Sequence, residues 1–188
     1  MERTLEAVPA PTQASDSWRA EVGTLFEEAR AADHTQSVLD SYMTAGPLPG
    51  TSVAASMTIS RVSMTVADGH STSDILLARS LAPGAEVIEV ARTAAVLVPL
   101  ESAAPPVDRS ARVLSSTGAF IEVPGHADFI IAIVFTVVSE HPEVLEELRH
   151  AERHVNEALL TLFRALLATF RWADADGRVL PSPEDIRG

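Results

Sequence analysis

The sequence predicts an α+β domain, an antiparallel sheet of about five strands with an N-terminal helical pair and a long C-terminal helix packed on it. Three observations carry this. Phe129 to Val138 is an unbroken, largely β-branched apolar run, too short to cross a bilayer and suited to a central strand. After His141-Pro142 the pattern changes to a helical one that holds for about thirty residues, to Trp172. Upstream, stretches of period two alternate with stretches of period 3.6, as sheet and covering helices require.

Residues 1–14, with Pro9 and Pro11 among small polar residues, have no period and are expected to form a flexible arm. Asp16 or Ser17 is placed to cap a helix whose buried face is Trp18, Val22, Leu25, Phe26 and Ala29. Asp33 and Gln36 have capping-box spacing, and Val38, Leu39, Tyr42 and Met43 then occupy a rotated face, so a second helix is expected up to Gly46-Pro47. From Ser52 the period becomes two through Val53, Ala55, Met57 and Ile59, then shifts phase to Val62, Met64 and Val66 before Asp68-Gly69: one long bent strand or a pair. Ser71 to Ala82, with Asp74 near its start, reads as a short helix stopped by Pro83-Gly84.

Val87 to Val98 alternates as a strand, and Pro99 to Asp108 is a Pro-rich connector. Residues 111–114 and 119–123 flank Ser115-Ser-Thr-Gly118 and predict a hairpin. On the last helix Val144, Leu148, Ala151, Val155, Leu159, Leu162, Leu166 and Phe170 share a face, widened by Leu145, Phe163 and Leu167. Residues 15–173 are thus expected as a single domain and 174–188 as a flexible tail. The element order is similar to that of roadblock-type adaptor domains, a likeness of topology with no shared motif, which says little about function.

Composition narrows the chemistry. The 188 residues suit one domain with a sizeable core at 46% hydrophobic content. All 14 basic Lys+Arg positions are Arg and there is no Cys, which removes Schiff-base chemistry, thiolate catalysis, disulfides and Cys-ligated metals. The Ala, Val, Arg and Pro bias resembles that of a high-GC bacterial genome. A net charge of −12 without a basic cluster opposes nucleic acid and anionic membranes. The N-terminus has neither the basic region nor the apolar region of a signal peptide, so a cytoplasmic location is expected.

Four residues are candidates for acid–base work: Glu152, Asn156, His126 and Asp128. Glu152 falls at the centre of the apolar face of the last helix, with Asn156 and Arg149 flanking it. A carboxylate directed into a core is costly unless paired. Either an Arg neutralises it (Arg149, Arg61, Arg92 or Arg112), or it lines a cavity, or it meets a second subunit. His126 and Asp128 stand at the mouth of the apolar run and would act as acid or base if they line a pocket; polar turn residues are the plainer reading.

Metal motifs are incomplete. Glu143, Glu147, His150 and His154 share a face, but a di-iron bundle needs a second such motif on a facing helix, and charges there also simply solvate the helix. Asp174-Ala-Asp176-Gly177 resembles the entry of a calcium loop but is two residues short and has no exit helix. No metal and no cofactor is therefore expected. The leading functional expectation is a small-molecule-binding domain of bacterial metabolism with its pocket between sheet and last helix, either binding only or catalysing a cofactor-free isomerisation, cyclisation or lyase step. The alternative is a non-catalytic module that homo-oligomerises or docks a partner. A dimer or larger assembly is expected because the apolar supply exceeds what one sheet face hides.

Overall fold

The computed structural model describes residues 36–63, 71–100, 112–139, 146–173 and 176–180. Within them the order is β1 (Gln36–Met43), β2 (Val53–Ser63), α1 (Thr72–Ser80), β3 (Glu86–Val90), β4 (Thr93–Pro99), β5 (Arg112–Val123), β6 (His126–Ser139) and α2 (Glu146–Thr169). The six strands form one sheet in the order β1-β2-β6-β5-β4-β3, and every pairing is antiparallel. The apolar run is indeed a central strand. It is buried on both faces because a helix lies on each.

One face carries the larger core: Val53 and Ala55 of β2, Ile131, Ile133, Phe135 and Val137 of β6, and Ala119 and Ile121 of β5 pack beneath Leu159, Phe163 and Leu167 of α2. Phe163 stacks on Phe135, with ring centroids 4.9 Å apart and planes 9° apart. The opposite face packs Ile130, Ala132, Phe120, Val96 and Val98 against Leu76 of α1. Period two thus sends successive residues of β6 into two different cores. A capping box starts α1: Asp74 N donates to Ser71 Oγ at 3.2 Å, and Ser71 N donates to Asp74 Oδ2 at 2.9 Å.

Three elements differ from the sequence expectation. Val38 to Met43 is strand rather than the second helix of an N-terminal pair, because its apolar positions fit either period and pairing with β2 decides. The first helix of that pair, and the arm at 1–14, lie outside the described residues. The expected strand 87–98 is the hairpin β3–β4, turning at Ala91 and Arg92 with φ of 48° and 63°. Positive φ at both central residues is a type I′ turn without its usual Asn-Gly, so no local signal announced it.

The expected hairpin across residues 115–118 is instead one 12-residue strand, β5. Gly118 sits mid-strand because a Cβ there would come within 3.1 Å of Leu100 and 3.0 Å of the Phe120 ring. The turn lies at Pro124-Gly125, where Pro sets the first position and Gly125, at φ 77°, takes the left-handed second one. The sheet therefore has six strands rather than about five. Four of them separate the two described helices, where the roadblock-like order has three.

The buried stripe of α2 is centred on Glu152, Leu159, Phe163 and Leu167, while Leu162 and Leu166 are exposed. The face anticipated from sequence is rotated by a fraction of a turn, fixed by the Phe163–Phe135 stack. In the expected tail, Ala173 bridges Val179 across Gly177, at φ 77°. No helix among the described residues is long and apolar enough to cross a membrane.

Candidate functional site

Antiparallel register builds a buried polar cluster under α2. Ser139, the last residue of β6, is paired with Val53 at the start of β2 on one side and with Arg112 at the start of β5 on the other. Ser52 precedes Val53, so the three central strands bring Ser52, Ser139 and Arg112 together at one end of the sheet. Ser139 has the same strand parity as Ile131, Ile133, Phe135 and Val137, and so faces α2. Glu152, near the start of α2, closes over them.

Glu152 is 5% exposed and accepts three hydrogen bonds. Its Oε1 takes Ser139 Oγ at 2.5 Å and Ser52 Oγ at 3.1 Å; its Oε2 takes Arg112 Nη2 at 2.5 Å. Each serine has one hydroxyl proton and directs it to the carboxylate, so the 3.2 Å approach of the two serine oxygens is a contact rather than a further bond. The ion pair is lopsided: the Arg112 side chain is 40% exposed, that of Glu152 6%. Arg112 Nε is buried without a partner among the described residues. One turn along α2, Asn156 Oδ1 accepts Ser115 Oγ at 2.6 Å.

Glu152 and Asn156 are therefore neighbours, each bonded to the sheet below. His126 and Asp128 are not part of this group. They stand at the other end of the 14-residue β6, roughly 40 Å away at about 3.3 Å per residue. His126 Nδ1 and Asp128 Oδ1 are 3.8 Å apart on exposed side chains; the His126 ring lies against Phe129, with centroids 4.8 Å apart, and the Arg61 guanidinium lies 5.5 Å from the centre of the Phe129 ring. Of the four cations weighed for Glu152, the structure selects Arg112.

The two serines are not among the sequence candidates, because Ser139 simply follows the unbroken apolar run and Ser52 precedes a strand, positions where a polar residue is ordinary.

Among the described residues no group of three or more His, Cys, Asp or Glu is arranged to hold a metal. His154 Nδ1 lies 2.8 Å from the His150 carbonyl oxygen on the exposed side of α2; Glu143 lies outside the described residues. At the calcium-like stretch, Asp176 lies 3.8 Å from Arg178, and the chain turns at Gly177 into the bridge of Val179 with Ala173.

One further polar pair lies on the edge strand. Tyr42 OH donates to Asp40 Oδ2 at 2.6 Å and Ser41 N to Asp40 Oδ1 at 2.8 Å. The bond to Asp40 raises the Tyr42 pKa above its ordinary value, with smaller contributions from burial and from the Asp40 charge. The chain matches no family model, no curated protein and no solved structure.

Proposed function

We propose that the chain is a non-catalytic interaction module that associates with a second copy of itself. One observation carries the reading: Leu77 on α1, Leu81 at its C-terminal cap and Val87 on β3 are 63%, 79% and 69% exposed where α1 passes into β3. Among the described residues β3 is also an edge of the sheet, and apolar side chains beside an edge strand favour pairing with another chain. A two-fold contact of this kind is self-complementary.

The same residues that suggested acid–base chemistry support this reading. A general base must reach a substrate proton. Glu152 would first have to leave two serine hydroxyls and a guanidinium, and His126 with Asp128 is too distant to assist. The small-molecule reading needs that rearrangement; the module reading needs none.

Light scattering on the full chain tests the proposal. A dimer or larger species at micromolar concentration, reduced to monomer by Leu81→Asp, is the expected result. A parent protein that is already monomeric at that concentration would remove it.

A further inference from the structure

Leu162 and Leu166 do not face the same way as the exposed side chains of α1. Arg164 Nη1 bonds Glu86 Oε2 at 2.8 Å, which turns that flank of α2 toward β3. Leu162 and Leu166 are each two positions from Arg164, so at about 100° per residue they occupy the opposite flank, toward β2 and β1. They are 53% and 44% exposed there.

Among the described residues no helix or strand covers the sheet in front of that flank. Met57 and Ile59 of β2 are only partly buried at the margin of the core, and their β1 partners in register, Tyr42 and Asp40, share their side of the sheet. Tyr42 is 47% exposed. Together these residues make a slot with a sheet floor and one helical wall. Phe163 places α2 over β6, and β1 lies two strands away, about 10 Å at the usual strand spacing. Packed helices lie about 8–10 Å apart, so the slot is one helix wide. Along the eight residues of β1 it is about 26 Å long.

We propose that this slot receives residues 16–32 of the same chain. The segment lies outside the described residues, and its apolar positions, Trp18, Val22, Leu25, Phe26 and Ala29, recur at helical spacing. As a helix of 17 residues it would span about 25 Å, the length of the slot. Where it ends is equally specific. Gln36 opens β1 opposite Val62, at one end of the slot, so residues 33–35 suffice as a connection. On such a helix Glu27 falls opposite the apolar positions, and Arg19, Glu21, Glu28 and Arg30 fall along its two flanks. Filling the slot from within the chain leaves the α1–β3 surface as the apolar face available to another molecule.

The chain has no cysteine, so introduced pairs report cleanly. Leu25→Cys is combined with Leu162→Cys in the full chain, and in a control with Leu77→Cys on the other face. A short bismaleimide is expected to bridge the first pair within one chain and to leave the control pair unbridged. Absence of that bridge, equal bridging of the control, or a covalent dimer in place of an internal link would overturn the proposal. With Trp172→Phe, Trp18 becomes the single tryptophan. Its quenching by acrylamide should be several-fold weaker in the native than in the urea-unfolded chain, and Leu162→Arg should bring it back toward the unfolded value. Equal quenching in native and unfolded chains would contradict the assignment.

Discussion

Glu152 shows what one residue reveals before a structure and what it leaves open. Its bearing on the helical wheel marked it as buried, and it is; the choice among four arginines and a cavity could not be made, because it depends on which strand ends meet. Only the pairing of Ser139 with both Val53 and Arg112 decides that. The Tyr42–Asp40 pair was hidden for a different reason: on the expected helix residues two apart face away from each other, and only on a strand do they share a side. As the only tyrosine, Tyr42 can be titrated directly by its phenolate absorbance. The phenol is expected to ionise above its ordinary value of about 10, and Asp40→Asn is expected to lower it. Because the folded-state pKa is raised, this contribution to stability is fully present below the unfolded value and is lost as pH rises through the folded one. A parent chain titrating no higher than Asp40→Asn would remove the Asp40 bond as the cause.

Among the elements, α2 could be recognised because it keeps one period over a long stretch, β6 because it is an unbroken β-branched apolar run, and α1 because Ser71 and Asp74 open it and Pro83-Gly84 follow it. β1, β3, β4 and β5 depended on partners or on unmarked turns. Val38, Leu39, Tyr42 and Met43 fit a helix or a strand until β2 is alongside them. Ala91-Arg92 makes a turn that neither residue favours, whereas Ser115-Ser-Thr-Gly118 has turn-forming residues and runs straight. The β3–β4 turn invites a direct check. Arg92→Gly removes a left-handed non-glycine residue and is expected to stabilise the fold by about 0.5–1 kcal/mol in urea unfolding, since the surface contacts of an exposed arginine are worth less. A loss of stability would mean that the turn tolerates Arg92 without strain.

At the scale of the whole molecule, a net charge of −12 opposes the self-association that the apolar surface favours. Salt screens the repulsion and leaves apolar contact intact. The dimer fraction in light scattering is therefore expected to rise between low salt and about 0.15 M, where the screening length is about 8 Å. A fraction that falls with salt would point to an interface held by ion pairs.

The claim that most affects the functional reading is that Glu152 joins α2 to three strands as part of the fold. It is tested most directly by a double-mutant cycle on Arg112 and Glu152 in urea unfolding. Arg112→Met leaves a buried carboxylate with two serine hydroxyls and should cost about 2–4 kcal/mol. Glu152→Gln should cost less, about 1–2 kcal/mol, because the partly exposed Arg112 can turn to water. The double variant should cost less than the sum of the two by at least about 1 kcal/mol. Additive losses, or a Glu152→Gln chain more stable than the parent, would contradict the account and return Glu152 to the class of groups held at the expense of stability for a function.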